Sequence, residues 1–106
     1  MAWHQIAAVE DCPPGQCMEA VAGDRIIALF NVDGGFYALD GVCPHQGGPL
    51  GQGALSDCVV TCPWHGWQFD VRTGQHQLSR NVIQPRFETK VEDGAVCVRI
   101  LDEHVE

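Results

Sequence analysis

Two short loops near the middle of the chain each carry one thiol and one imidazole. The first has the spacing Cys43-x-His45 and the second Cys62-x2-His65, with sixteen residues between His45 and Cys62. Short spacing lets both side chains of one turn converge on one metal region, so the two loops are expected to close around a shared centre. Two cysteines and two histidines fit either a tetrahedral structural zinc or a [2Fe-2S] cluster with histidines on one iron.

The arrangement of the four side chains favours the cluster over zinc. Zinc modules commonly repeat Cys-x2-Cys and keep their histidines together, whereas each loop here pairs one thiol with one histidine. Unrelated buried thiols and imidazoles are a weaker interpretation, because two matched pairs would then have arisen by accident. A zinc-stabilised module stays open as the alternative at this point.

The remainder of the chain predicts a small all-β domain. Apolar runs at 25–30 and 36–39, rich in strand-forming residues, flank a turn and predict a hairpin. Alternating apolar residues on both sides of 92–94 predict a second hairpin. Further strands are expected at 3–8, 58–61 and 67–71. Since no window has a helical period over three turns, we expect an antiparallel β-sandwich or partly open barrel.

The chain has the length of one domain, and its two loops lie in a region rich in glycine and proline. At 106 residues a second independently folded unit is not expected, so residues 1–106 are assigned to a single domain. Between Asp40 and Gly74, seven glycines and three of the six prolines interrupt regular elements. Such a stretch makes poor secondary structure but suits ligand-bearing turns on a rigid scaffold.

Charge and hydropathy exclude several classes of partner. Fourteen acidic against six basic side chains give a formal charge of -8, the wrong sign for phosphate backbones, so we expect no nucleic acid partner. The same field favours encounter with a positively charged protein surface. No apolar run approaches the roughly 20 residues that cross a bilayer, and no export signal is visible at the N-terminus. A cytoplasmic protein with no membrane association is expected.

The loops and the residues after them resemble the cluster-binding signature of Rieske proteins, in particular bacterial Rieske-type ferredoxins. The resemblance rests on Cys43-x-His45, then Cys62-x2-His65-Gly66-Trp67-x-Phe69-Asp70, and then Thr73-Gly74. It implies a cluster-binding subdomain at about 41–74 inserted into a larger β base. It also implies one [2Fe-2S] cluster whose metal ligands are Cys43, His45, Cys62 and His65, with the thiolates on the inner iron and the imidazoles on the outer one.

The resemblance also implies which kind of Rieske centre this is. Respiratory-chain members carry an extra cysteine in each loop and join them in a disulfide, but the matching positions here are Gly48 and Trp64. Those members also place a serine and a tyrosine where this chain has Trp67 and Phe69, and their hydroxyls donate hydrogen bonds to sulfur. Because such donors stabilise the reduced cluster, their loss implies a potential toward the bottom of the range of about -150 to +300 mV.

The function implied by the resemblance is one-electron transfer rather than catalysis. A Rieske ferredoxin accepts an electron from a flavin-dependent NAD(P)H reductase and delivers it to a terminal oxygenase of the aromatic-ring-hydroxylating type. No nucleophile elbow, phosphate-binding glycine loop or dinucleotide fingerprint is present in the sequence. The alternative is the small subunit of an NAD(P)H-dependent nitrite reductase. Many such subunits have lost the ligands, and all four are present here, which favours the carrier.

Several cysteines and histidines remain outside the proposed ligand set. We expect Cys58 and Cys97 to be small buried thiols in strands. Cys12 and Cys17 are expected to be free thiols rather than a disulfide, as is usual in a reducing compartment. The other histidines have polar neighbours in sequence and are expected to be solvated surface residues: His4, His76 and His104.

Overall fold

The structure is a computed structural model that describes residues 2–43, 47–64 and 66–100. Within these ranges the chain forms nine β-strands and two short 3-10 helices, Val9–Asp11 and Leu50–Gln52. The strands are β1 Ala2–Ala8, β2 Cys17–Ala22, β3 Arg25–Val32, β4 Gly35–Asp40, β5 Ala54–Ser56, β6 Val59–Thr61, β7 Gln68–Asp70, β8 Arg86–Glu92 and β9 Ala95–Ile100. The same residues include no helix of the length and hydropathy needed to cross a membrane. The predicted all-β class is confirmed.

Both predicted hairpins are present. In the β3–β4 turn Asp33 has φ 53° and Gly34 has φ 92°, and in the β8–β9 turn Asp93 has φ 54° and Gly94 has φ 80°. Two successive positive φ angles give a two-residue turn whose twist matches that of the flanking strands, and Asp-Gly is a favoured pair there. The hairpins are therefore specified locally by the turn residues.

The other strand predictions differ in detail from the structure. The ranges 3–8 and 67–71 correspond to β1 and β7, whereas the strand expected at 58–61 begins at Val59 because Cys58 lies in the turn after β5. The sequence did not predict β2 or β5. The alanines and the glutamate of β2 have low strand propensity, and this strand forms because all six of its residues pair with β3.

The strands form two sheets in which every strand pair is antiparallel. The larger sheet has the order β1-β9-β8-β4-β3-β2, and the smaller one has the order β5-β6-β7. Strand β1 also contacts β2, so the larger sheet curls until its two edge strands meet. This is the partly open barrel that the sequence predicts.

The smaller sheet is inserted between β4 and β8, which pair directly with each other through Ala38–Phe87 and Leu39–Arg86. The largest buried cluster joins the two sheets, and its members are Ala28, Phe30, Leu39, Cys43, Leu50, Val60, Cys62, Phe69 and Val71. Full burial of each large apolar side chain stabilises the fold by about 1.5–3 kcal/mol. This shared core holds the inserted region, including both loop cysteines, firmly on the larger sheet.

Candidate metal centre

Cys43 and Cys62 lie together in the core that joins the two sheets. Cys43 follows the end of β4 and Cys62 follows β6, and each side chain is only 1% exposed. Neither forms a disulfide. The structure thus brings the two predicted thiol ligands to one buried region. The predicted imidazole ligands, His45 and His65, lie outside the described residues, and their assignment stays a prediction.

The two ends of the first loop are tied together by backbone hydrogen bonds. The Cys43 N-H donates to the Gly48 carbonyl at 2.9 Å, and the Gly47 N-H donates to the Cys43 carbonyl at 2.8 Å. Gly47 has φ 76°, a left-handed conformation that glycine adopts without a steric penalty. Immediately outside them, Val42 and Pro49 form an isolated antiparallel bridge. The loop is therefore closed at its base, so its cysteine has a fixed direction.

The second loop is closed in a similar way and lies against the first. The Cys62 N-H donates to the Trp67 carbonyl at 2.8 Å. A Cβ atom placed on Gly48 would lie 2.9 Å from the Cys62 Sγ and 3.0 Å from the Trp64 Cβ. Gly48 and Trp64 therefore face each other across the two loops, and this close approach leaves no room for a side chain at residue 48.

The donor set fits a centre with mixed sulfur and nitrogen ligands. A buried thiolate is unfavourable in a low-dielectric core unless a cation lies beside it, so two convergent buried thiols suit metal binding. Within the described ranges, no group of three or more His, Cys, Asp or Glu side chains could hold a metal ion. The further donors that the sequence predicts are the histidines within the two loops, His45 and His65.

The residues after the second loop form a turn that supports both loops. The Gly74 N-H donates to the Asp70 carbonyl at 2.7 Å, and the Gln84 N-H donates to the Gly74 carbonyl at 2.7 Å. The buried Gln84 side chain then donates from Nε2 to the carbonyls of Asp40 at 2.7 Å and Val42 at 2.8 Å. The end of the inserted segment is thereby fastened to the start of the first loop. Sequence reasoning missed Gln84, because a single glutamine before a proline has no distinguishing pattern.

An ion pair rigidifies the same turn. The Arg72 guanidinium donates to the two carboxylate oxygens of Asp70 at 3.1 and 2.9 Å. The backbone N-H of Arg72 also donates to the Asp70 Oδ1 atom at 2.8 Å. The Arg72 side chain, as the largest cause, holds the pKa of Asp70 below its usual value. Because the Arg72 side chain is exposed to solvent, the ion pair contributes little to the free energy of unfolding. Its geometric effect is to fix the turn after β7.

The expectation that His76 is a solvated surface residue is wrong. Its side chain is 8% exposed, and its ring packs edge-to-face against Trp67 and Phe69, with ring centroids 4.6 and 5.2 Å apart. The burial arises because Phe69 and His76 pair in an isolated antiparallel bridge beside β7. Of the other two histidines, His4 is half-buried on β1 and His104 lies outside the described residues.

The cysteines outside the loops are free thiols, as expected for Cys12 and Cys17. Cys97 is buried in β9, but Cys58 is half-buried in a turn, so the prediction of a buried strand thiol is wrong for Cys58. Cys12 belongs to the core cluster of Leu29, whereas Cys17 packs against the cluster that joins the two sheets. The two thiols thus serve different parts of the core.

Burial makes Cys12 unreactive, which can be tested by alkylation. Desolvation, with the neighbouring Cys17 as the second cause, raises the pKa of the Cys12 thiol from 9.0 to about 11. Because the thiolate is the nucleophile, iodoacetamide at about pH 8 should spare Cys12 in the native protein and modify it in urea. This thiol's contribution to the free energy of unfolding is complete below pH 9.0 and is lost as the pH rises toward about 11. Peptide mapping that found Cys12 alkylated equally fast in both states would contradict its burial.

Comparison with known proteins agrees with this geometry. A family model described as the Rieske [2Fe-2S] domain matches residues 2–88. The ferredoxin component of the alkene monooxygenase system of Xanthobacter autotrophicus is 38% identical over 94 residues, which cover 88% of this chain and 77% of that protein. Ferredoxin CarAc of Metapseudomonas resinovorans is 33% identical over 98 residues, which cover 91% of this chain and 92% of that one.

Solved structures have the same fold. A chain in the complex of reduced oxygenase and oxidized ferredoxin in carbazole 1,9a-dioxygenase has a TM-score of 0.81 and 33% identity, with 91% of each chain covered. A protein described as a nitrite reductase NADPH small subunit has a TM-score of 0.81, covering 94% of this chain and 100% of that one, but only 20% identity, which shows the fold alone. The chain belongs to the Rieske [2Fe-2S] domain family, and its cofactor is a Rieske-type [2Fe-2S] cluster.

Proposed function

We propose that this chain is a Rieske ferredoxin, a one-electron carrier between a flavin-dependent NAD(P)H reductase and a terminal oxygenase of the aromatic-ring-hydroxylating type. The observation that carries the proposal is the convergence of two buried loop cysteines, each 1% exposed, in the core that joins the two sheets. When bound, the cluster supplies reversible one-electron transfer. The proposal is supported by relatives that are ferredoxin components of oxygenase systems. The chain itself converts no organic substrate.

The ligand assignment follows the resemblance to Rieske proteins, and the burial of the two cysteines supports it. Cys43 and Cys62 would hold the inner iron as thiolates, because both sulfurs lie within the core. His45 and His65 would hold the outer iron, where a docked protein can approach. The side chains next to the loops suit this arrangement, since Val42 is 45% exposed and Trp64 is 49% exposed. The electron would then enter and leave on the imidazole side.

An EPR spectrum of the dithionite-reduced protein tests this assignment. Mixed nitrogen and sulfur ligation lowers the average g-value below that of an all-cysteine cluster. We therefore expect the lower average g-value for this protein. A spectrum of the all-thiolate type would overturn the histidine ligands. A colourless preparation that contains zinc instead of iron would overturn the cluster itself.

The domain organisation and location follow from the same proposal. We infer that residues 1–106 form a single domain with a cluster-binding subdomain at about 41–74, and the pairing of β4 with β8 across the insertion supports this division. We infer a cytoplasmic location, which is supported by the absence of disulfides among the six cysteines. The alternative function, a nitrite reductase small subunit, rests on a likeness of fold alone.

We expect a low reduction potential for this centre. Phenylalanine and tryptophan have no hydroxyl, so neither the fully buried Phe69 nor Trp67, which packs against the same core, can donate an O-H to a cluster sulfur or a ligand thiolate. The midpoint should fall toward the bottom of the range of about -150 to +300 mV for Rieske centres. A redox titration that gave a midpoint above about +100 mV would contradict this prediction.

A single substitution tests whether the missing hydroxyl at residue 69 lowers the potential. Phe69→Tyr adds one hydroxyl without changing the ring. If the hydroxyl donates to a charged sulfur, the bond is worth about 1.5–3 kcal/mol, and the part of it that the reduced cluster gains over the oxidised one raises a one-electron potential by up to about 60–130 mV. A potential unchanged by Phe69→Tyr would mean that residue 69 does not face the ligand sulfurs.

Four exposed apolar side chains lie within or directly beside the two loops or in the segment that follows β7, and we call them the tip patch. They are Val42 at 45% exposure, Trp64 at 49%, Leu78 at 92% and Ile83 at 60%. The Gln84 side chain holds the Val42 carbonyl, which brings the neighbouring Ile83 toward the first loop. Exposed apolar residues beside a redox centre suit a transient protein contact, while the formal charge of -8 selects positively charged partners.

We expect Trp64→Ala to weaken binding to the terminal oxygenase when variant and parent are compared at equal cluster content. Tryptophan is enriched among residues that dominate interface energy, and its loss should raise the Kd about tenfold, or about 1.4 kcal/mol. Binding can be measured by titration calorimetry, with visible absorbance as the check on the cluster. The control is Val91→Ala, because Val91 is 53% exposed on β8, outside the tip patch. An equal effect of both substitutions would refute docking through Trp64.

A further inference from the structure

His76 is a buried imidazole that the ligand set does not use. Its Nδ1 atom accepts hydrogen bonds from the backbone N-H groups of Leu78 at 3.0 Å and Ser79 at 3.1 Å. A ring nitrogen that accepts two such bonds carries no proton, so the imidazole is neutral with its proton on Nε2. One side of the ring therefore has a defined role, which is to order the backbone at 78–79.

The other side of the ring has no polar partner in the part of the chain that the structure describes. The Nε2 atom is buried without a hydrogen bond there. Burial of an unpaired donor is unfavourable, so the ring is held in this position by the groups that it contacts. Those groups are aromatic: the His76 ring lies at 89° to Trp67 and at 85° to Phe69. The three rings form a compact group that includes Trp67, at the end of the second loop.

This aromatic group is connected to the second ligand loop through the backbone. Trp67 accepts the Cys62 N-H at its carbonyl, and Phe69 lies in the same core cluster as Cys62. The Gln77 N-H also donates to the Gln68 carbonyl at 2.9 Å, so the segment after His76 is fastened to β7. A movement of the His76 ring would reach the loop through the two rings that it contacts, of which Trp67 is the nearer.

We propose that His76 is a positioning residue for the iron-sulfur centre. Its ring holds Trp67 against the core and thereby fixes the second ligand loop, while its Nδ1 atom independently orders the backbone at 78–79. The inference rests on the proposed cluster. The two roles belong to different atoms of one side chain, so they can be separated by substitution.

Two substitutions separate the two roles in the full-length, cluster-loaded protein. His76→Asn keeps an acceptor near the Nδ1 position but removes the ring, whereas His76→Phe keeps a ring and removes the acceptor. The readouts are the EPR linewidth of the reduced protein, the rate of cluster loss to an iron chelator, and hydrogen exchange at the amides of Leu78 and Ser79. His4→Asn, on β1, is the matched control for a histidine-to-asparagine change.

Each substitution has a different expected result. His76→Asn should lose its cluster at least tenfold faster than the parent, with broadened EPR lines and with protection retained at Leu78 and Ser79. His76→Phe should keep the parent's linewidth and a loss rate within twofold, while protection at those two amides disappears. His4→Asn should match the parent in all three measurements.

The inference is overturned if His76→Asn keeps the parent's linewidth and loss rate. If that variant does not fold, Trp67→Leu decides the question with His76 intact, because removal of the nearer ring should also accelerate cluster loss at least tenfold. A loss rate within twofold of the parent in Trp67→Leu overturns the inference. A parent protein that binds no cluster would instead refute the proposed function, so the two failures are distinguishable.

Discussion

Replacement of Cys62 by alanine should abolish cluster binding. The Cys62 sulfur lies in the core beside Cys43, each at 1% exposure, and a metal centre that loses one of its two buried thiolates cannot be completed by water there. We expect the purified variant to be colourless, with iron and acid-labile sulfide below about a tenth of the parent's content. Visible absorbance and metal analysis measure this directly.

Cys12→Ala is the matched control for the loss of Cys62. Cys12 is also 1% exposed, but it belongs to a different core cluster, with Leu29 and Val96. Its substitution removes a thiol that is as buried as that of Cys62 and should leave the cluster content unchanged. The expected cost in stability is about 1 kcal/mol. If Cys62→Ala kept a full cluster, or if both variants lost it, the ligand assignment would be refuted.

Gly48→Ala should disturb the contact between the two loops while it leaves every ligand in place. The added Cβ would lie 2.9 Å from the Cys62 Sγ and 3.0 Å from the Trp64 Cβ and Cγ atoms. These distances are shorter than van der Waals contact, so one loop has to shift away from the other. Overpacking of this kind costs about 1–3 kcal/mol, and ligand constellations tolerate displacements of only about 0.5 Å.

We expect Gly48→Ala to lower cluster occupancy about tenfold, measured as the ratio of visible to protein absorbance after reconstitution. Gly35→Ala is the control, because a Cβ on Gly35 would come no closer than 3.4 Å to its nearest neighbour, the Val32 carbonyl oxygen. Full occupancy in Gly48→Ala would show that the loops can separate without loss of the centre. In this chain the Trp64 side chain fills the space beside residue 48, which is why even a methyl group there is not accommodated.

Local sequence patterns were sufficient to predict much of the fold and to select the two cysteines that the structure brings together. The two Asp-Gly turns, with Gly34 and Gly94 at positive φ, specify their hairpins without help from distant residues. The loop cysteines were identified by their spacing to histidines, and the structure places both in one core cluster. Strand β2 was missed, because residues of low strand propensity pair there with β3.

Burial of polar side chains could not be predicted from their neighbours in sequence. His76 has polar flanking residues, yet its ring is buried because a single bridge pairs it with Phe69. Gln84 is 2% exposed because it donates hydrogen bonds to the Asp40 and Val42 carbonyls, 44 and 42 residues away in the chain. Contacts of this range depend on how the inserted segment returns to the larger sheet.

The amino-acid sequence by itself determined the all-β class, the turns and the residue types available to hold the cluster, because these follow from spacing and backbone preference within a few residues. Only the tertiary structure decided that Gly48 has no room for a side chain and that His76 is buried against Trp67. The physical reason is that close packing between distant segments depends on where the whole backbone goes. It is this packing that holds the two loops together.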